Sequence, residues 1–220
     1  MFLKKIIDVK ISRKTISVSR EANISTRELE DQISKLQFSG ERNPKTPQVE
    51  NAPLPPFIQS FYYLFFKSLR IPTEKEFCDY YLELIGGSLN GKVVIDGETY
   101  DLDPVIYRMK RTYPSLLRDL HFLYLLEESG LFEEVEYSMH KDFYNGLDIK
   151  VRYSQKDYFV SLFIDSARGT YYKARKRTRH DYTEVNEIEF NVEFSTLKSF
   201  GSIYLLTPEH IKILIDRIPK

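Results

Sequence analysis

Residues 144–180 read YNGLDIKVRYSQKDYFVSLFIDSARGTYYKARKRTRH, and this stretch decides the fold. Two runs rich in β-branched and aromatic residues, LDIKVRY (147–153) and YFVSLFID (158–165), flank a polar tetrapeptide, Ser154-Gln155-Lys156-Asp157. That pattern predicts a β-hairpin with a polar turn, in which Tyr153 faces Tyr158, Ile149 faces Leu162 and Asp148 faces Phe163. Side chains alternate along a strand, so Ile149, Val151, Val160, Leu162 and Ile164 form one apolar face. Asp148, Lys150, Ser161 and Asp165 share the other, with Asp165 diagonal to Asp148. Strand interiors are depleted in aspartate, and two same-face carboxylates repel unless a cation or proton relieves them. A solvated sheet face is the plainer explanation of the same residues. Because a one-residue slip would turn Asp165 into the core, the pairing of the two acids depends on the turn.

Upstream, Leu116, Leu117, Leu120, Leu123 and Leu126 recur at helical spacing, and Ser129-Gly130 stops that helix. Leu131 to Tyr137 then alternates as a strand. Glu127 or Glu128 at the helix end, and Glu134 or Glu136 on the strand, are placed to approach the polar sheet face. Downstream, Arg168, Lys173, Arg175, Lys176, Arg177 and Arg179 put six positive charges within twelve residues of a chain that is formally neutral, with 32 Lys plus Arg against 32 Asp plus Glu. As a helix, the segment would line up Arg168, Tyr172, Lys176 and Arg179, and its like-charged i,i+4 pair Lys173 and Arg177 favours an anionic partner. Carboxylates that hold a divalent ion beside a basic run suit a phosphodiester backbone. A solvated helix face, a polyphosphate or an acidic protein partner fits the basic run as well.

Over about residues 115–218, this order of helix, strand, G-x-D strand, acidic strand and basic segment resembles the restriction-endonuclease-like, or PD-(D/E)xK, nuclease superfamily. The resemblance implies a small mixed sheet flanked by helices, cutting DNA or RNA with a metal ion held by acids at a bent hairpin. Gly146-Leu147-Asp148 stands for the family's G-x-D element, which makes Asp148 a metal ligand. Asp165, in FVSLFIDSAR, stands where the second acid is expected, and Glu127 or Glu128 matches the acid donated by the first helix. The implied catalytic set is Asp148, Asp165, Lys150 and Glu127, with Asp148, Asp165 and Glu128 around Mg²⁺ or Mn²⁺.

The family's lysine two residues after the second acid is absent, since that position is Ala167. Lys150, Arg168 or Lys173 would take its role. Alternatively, Asp148-Ile149-Lys150 is itself the D-x-K element, with Asp142 or Glu136 as the preceding acid. A third possibility is a DNA-binding platform without chemistry, which the bulk of Phe163 on the polar face favours. In an active site the metal would lower the pKa of a bound water, and an ammonium would offset charge on the pentavalent phosphate.

In the rest of the chain, residues 4–20 alternate as two short strands, and Ser25-Thr26-Arg27-Glu28 is a capping-box signature for a helix through Leu36. Prolines 44, 47, 53, 55 and 56 argue against an ordered helix in that region and mark a boundary. Phe57, Phe61, Tyr62, Phe65 and Phe66 crowd a helix that would serve the core or a subunit interface. A second helix follows over 74–85, and Asp96-Gly97 supplies a tight hairpin turn. Asp103-Pro104 is expected to open a short helix ahead of the main one at Ser115. Residues 187–194 and 200–207 read as strands, and Pro208 opens a final helix. The single cysteine, Cys78, argues against a disulfide scaffold and fits a reducing cytoplasm. No secretory leader, membrane-length apolar run, zinc-ligand spacing or glycine-rich phosphate loop is evident.

The sequence therefore predicts an α+β, or mixed α/β, protein with a central mixed sheet flanked by helices and a smaller N-terminal extension. Its parts are a strand and helix element (1–38), a proline-rich linker (39–56), a helical region with a hairpin (57–112) and the restriction-endonuclease-like core (113–220). The expected activity is Mg²⁺-dependent endonucleolytic cleavage of DNA by a cytoplasmic protein of a prokaryotic or mobile-element system. The alternatives are a catalytically inactive DNA-binding protein and an assembly or regulatory module, with a homodimer or protein partner engaged through the aromatic helix at 57–69.

Overall fold

The computed structural model describes residues 3–11, 14–22, 24–39, 43–52, 54, 57–137, 147–165 and 185–219, the first two spans as backbone only. In chain order the elements are β1 (Leu3–Ile11), β2 (Lys14–Ala22), α1 (Thr26–Ser34), α2 (Pro47–Asn51), α3 (Ile58–Ser68), α4 (Glu74–Leu84), β3 (Lys92–Ile95), β4 (Glu98–Asp101), α5 (Leu102–Ser129), β5 (Glu134–Glu136), β6 (Ile149–Tyr153), β7 (Lys156–Asp165), β8 (Glu187–Glu193), β9 (Lys198–Phe200), β10 (Ile203–Leu205) and α6 (Pro208–Arg217). Strands β5-β6-β7-β8 form one sheet in that order. The first three run antiparallel and β8 lies parallel to β7, so the sheet is mixed and the fold is α+β. Three two-stranded antiparallel pairs, β1-β2, β3-β4 and β9-β10, complete the strands among the described residues.

The organising element is α5. Its 28 residues bury apolar side chains around most of its circumference because it is packed on two sides. Toward the helices, Tyr113 meets Phe61 and Phe77 with ring centroids 6.0 and 5.9 Å away, and Tyr124 meets Phe65 at 5.9 Å. Toward the sheet, Phe122 stacks on Phe190 of β8 at 5.8 Å. The Tyr113 hydroxyl donates to the Pro72 carbonyl at 2.6 Å, which satisfies the one polar atom that this ring brings into the core. One continuous apolar cluster runs from Leu29 to Ile218.

Local signals place several boundaries. Ser25 and Glu28 form the reciprocal capping box at α1, and Thr73 with Glu76 repeats it at α4. Asp96 and Gly97, with φ of 50° and 86°, make the two-residue turn between β3 and β4. Gly130, at φ 64°, ends α5 in the left-handed conformation.

Two expectations are corrected here, and a third, left between two roles, is narrowed to one of them. The break between a short helix and the main helix does not occur: α5 is continuous from Leu102, with Pro114 inside it, so the 112/113 boundary falls within one helix. The proline-rich stretch is not a free linker, since it contains α2, with Pro47 at the first helical positions, where a missing N–H does no harm. Two arginines of α5 hold it down. Arg108 donates to the carbonyls of Val49 and Ala52, the latter at 3.0 Å, and Arg111 donates to those of Asn43 and Pro44 at 3.2 and 2.8 Å. Finally, the aromatic residues of α3 pack internally: Phe57, Phe61, Tyr62, Phe65 and Phe66 are all buried, and Tyr62 stacks on Tyr137 at 4.3 Å. Those rings face this chain's own core rather than a subunit interface.

Candidate functional site on the mixed sheet

The β6-β7 hairpin carries the two acids on which the sequence reading turned. Its turn is Ser154-Gln155 alone, both residues left-handed with φ of 50° and 63°, and Tyr153 pairs with Lys156. A carboxylate fixes this tighter turn: Glu133, just before β5, accepts the Gln155 N–H at 3.0 Å. Lys156 and Asp157, read as turn residues, are strand residues instead, because Asp157 lies directly across from Arg152 and accepts from its Nε at 2.7 Å. The register is thus displaced by two residues from the expected one. A two-residue shift preserves the faces, so Ile149, Val151 and Val160 are buried in the core while Asp148, Lys150 and Asp165 stay on the polar side.

The shift changes the distance between the acids. Extending the pairing of Ile149 with Val160 by one residue sets Asp148 opposite Ser161, not Phe163. Asp165 then lies four residues further along β7, roughly 13 Å of strand. Asp148 is half-buried, and its Oδ2 accepts the Leu162 N–H at 3.0 Å, while Asp165 is exposed at the strand end in register with Glu193. Divalent ions bind carboxylate oxygens at about 2–2.6 Å, so one small cation does not reach both. The positions beside Asp148 on β7 are Ser161, which is buried and donates to Glu187 at 2.6 Å, and Phe163.

The remaining candidates have structural partners. Lys150 Nζ sits 3.1, 3.3 and 3.4 Å from carboxylate oxygens of Glu134, Glu136 and Asp157. Burial works against its charge, but the hydrogen bonds to Glu134 and Glu136 outweigh it and hold the ammonium above the ordinary lysine range. Arg152 likewise keeps the Asp157 carboxyl below its usual value. Glu128 accepts the Thr26 N–H at 2.7 Å and the Thr26 hydroxyl, which ties the end of α5 to the first turn of α1. Glu127 is half-buried in the last turn of α5. Among the described residues, no group of three or more His, Cys, Asp or Glu is arranged to hold a metal ion. Asp142, Gly146 and the basic residues Arg168, Lys173, Arg175, Lys176, Arg177 and Arg179 lie outside the described residues.

Sequence reasoning read residues 187–194 as a strand, where β8 lies, but passed over the acids it adds to the polar face. The strand's parallel register aligns Glu187, Glu189 and Glu193 with Phe159, Ser161 and Asp165, which extends the polar face onto the fourth strand and makes it strongly acidic. The signal was present in the alternation of NEIEFNVEF, whose glutamates fall two residues apart or at multiples of two. A polar stripe on α5, Arg111, Ser115 and Arg118, was also passed over, because the leucines between and after these residues dominate the segment.

No family model, curated protein or solved structure matches this chain. No helix among the described residues is long and apolar enough to cross a membrane.

Proposed function

We propose that this chain is a DNA-binding protein built on a restriction-endonuclease-like core, in which Asp148 and Asp165 do not act together as metal ligands. The observation that carries this reading is the sheet itself. A helix is followed by three antiparallel strands and then by a strand parallel to the third, and the chain between the two parallel strands contains the six-charge basic run. The acidic sheet face repels a phosphate backbone, so the basic run is the part of this region suited to attract it.

The test is binding of a short DNA duplex followed by fluorescence anisotropy across salt concentrations, with a parallel cleavage assay in Mg²⁺ and Mn²⁺. Binding without cleavage is expected, with a slope against log salt that falls by about 0.9 for each phosphate contact removed among Lys173, Arg175, Lys176 and Arg177. Absence of binding at low salt overturns the reading.

A second reading, metal-dependent DNA cleavage, draws support from one feature. Asp148 and Lys150 stand two residues apart on the polar face, with Glu136 3.3 Å from the Lys150 ammonium, which is the layout of a D-x-K element with Glu136 as the preceding acid. Cleavage lost in Asp148→Ala and retained in Asp165→Ala would establish this version.

A further inference from the structure

A cleft of about 650 Å³ opens between the middle of α5, the carboxyl end of β7, the residues just after β8, and β10. Carboxyl ends of parallel strands are where ligands most often sit in open sheets, and β7-β8 is the parallel pair of this sheet. Arg118 of α5 lines the cleft, with its Nε donating to the Tyr204 carbonyl at 3.0 Å. Among the described residues its two Nη groups make no hydrogen bond, so a cleft-lining guanidinium tethered through Nε keeps both uncommitted. Burial pushes the Arg118 pKa down, although arginine remains charged. A tethered, partly dehydrated guanidinium with unengaged donors is a ready anion site.

The walls are aromatic. Phe194 and Tyr204 line the cleft with ring centroids 4.6 Å apart, and they are among the large hydrophobic side chains left exposed, at 49% and 38%. Phe38 contributes a third ring. Two buried donors of cleft-lining residues, Asn43 Nδ2 and Arg111 Nε, have no hydrogen-bond partner among the described residues. Lys45 adds positive charge, Asp119 opposes it, and the Arg111 charge is matched by Glu50. Simple anion binding explains the guanidinium but not exposed rings beside it. A planar ring that carries a phosphate satisfies both.

We propose that this cleft binds a nucleotide, with the phosphate on Arg118 and the base against Phe194 and Tyr204. The nucleotide is either free or a residue of a single strand, since both present the same base and phosphate. This goes beyond duplex binding by the basic run and does not depend on it.

Isothermal titration of the full chain with adenosine 5′-monophosphate, adenosine, inorganic phosphate and a single-stranded oligodeoxyadenylate tests the proposal. The monophosphate or the oligonucleotide is expected to bind more tightly than adenosine or phosphate alone. Arg118→Gln is expected to weaken that binding about 10-fold or more, and Phe194→Ala about 5-fold or more. Phe194 is half-exposed, so its alanine variant keeps the fold and the test remains valid if Arg118→Gln does not fold. Tight binding of the monophosphate assigns the site to free nucleotides, and binding of the oligonucleotide alone assigns it to single strands. The proposal is overturned if neither binds, if phosphate alone binds as tightly as the monophosphate, or if Phe194→Ala binds like the wild type. Duplex binding measured on the same Phe194→Ala sample should be unchanged, which separates failure of this site from failure of the basic run.

Discussion

Replacing Lys150 with methionine removes the one cation among the described residues that touches Glu134, Glu136 and Asp157 together, and the structure sets the size of the effect. The side chain is 12% exposed, whereas its three partners are 43%, 39% and 39% exposed, so solvent screens each pair substantially. Exposed ion pairs contribute about 0.2–1 kcal/mol each, and three that share one ammonium do not add fully. The expected loss is therefore about 1–2 kcal/mol, or roughly 2–8 °C in melting temperature for a chain of this length. The ammonium's pKa is raised in the fold, so its contribution is fully present below the unfolded lysine value, near 10.4, and is lost as the pH rises through the higher folded value. Methionine keeps the apolar stem, which isolates the charge. Thermal melts at low and high salt make the assay: the difference between wild type and Lys150→Met should narrow in high salt, because Debye screening weakens the pairs. If Lys150→Met melts like the wild type yet loses a Mg²⁺-dependent cleavage that the wild type performs, the structural role is wrong and Lys150 belongs to a reaction centre.

The hairpin register is tested by paired cysteines: Arg152→Cys with Asp157→Cys should form a disulfide on mild oxidation, whereas Arg152→Cys with Phe159→Cys, opposite each other only in the four-residue-turn register, should not. His121 and His210 contribute to the acid side of the stability profile, since burial holds both below the ordinary histidine pKa. The unfolded chain then takes up protons that these two residues refuse in the fold, so their contribution is complete above 6.5 and is lost as the pH falls from there through the depressed folded values. His210→Gln should flatten part of that decline in pH-dependent melts, since His210 Nδ1 accepts the Thr207 N–H at 3.0 Å and a glutamine at the same capping position accepts it without titrating.

Much of the fold was legible because its signals are local. The capping boxes at Ser25 and Thr73, the Asp96-Gly97 turn and Gly130 each act within a few residues, and they fall where the helices and the β3-β4 hairpin begin, turn or end. The failures share a different cause. Pro47 and its neighbours were read as a linker because local propensity forbids most helix there, but Arg108 and Arg111 reach across from α5, about sixty residues later, to hold α2 in place. Pro114 reads as a helix boundary from its own chemistry, yet packing of the residues around it on two sides carries α5 through.

The same distinction governs the site. Ser154 to Asp157 look like four turn residues when polarity alone is counted. Two of them are strand residues because Arg152 answers Asp157 across the ladder, and because Glu133 reaches Gln155 from just before β5. A cross-strand charge pair is visible in sequence only after a register is assumed, so polarity cannot select the register that creates it. For Asp148 and Asp165 that choice separates a diagonal pair from two acids roughly 13 Å apart along the strand. Parity survived the error, which is why the polar face was read correctly. Distance did not survive it, and a metal site depends on distance. Among the described residues, the acids flanking Asp148 in the sheet are Glu189 and Glu187 of β8, the first in register with Ser161 and the second its hydrogen-bond acceptor, and on the other side Glu136, paired with Lys150.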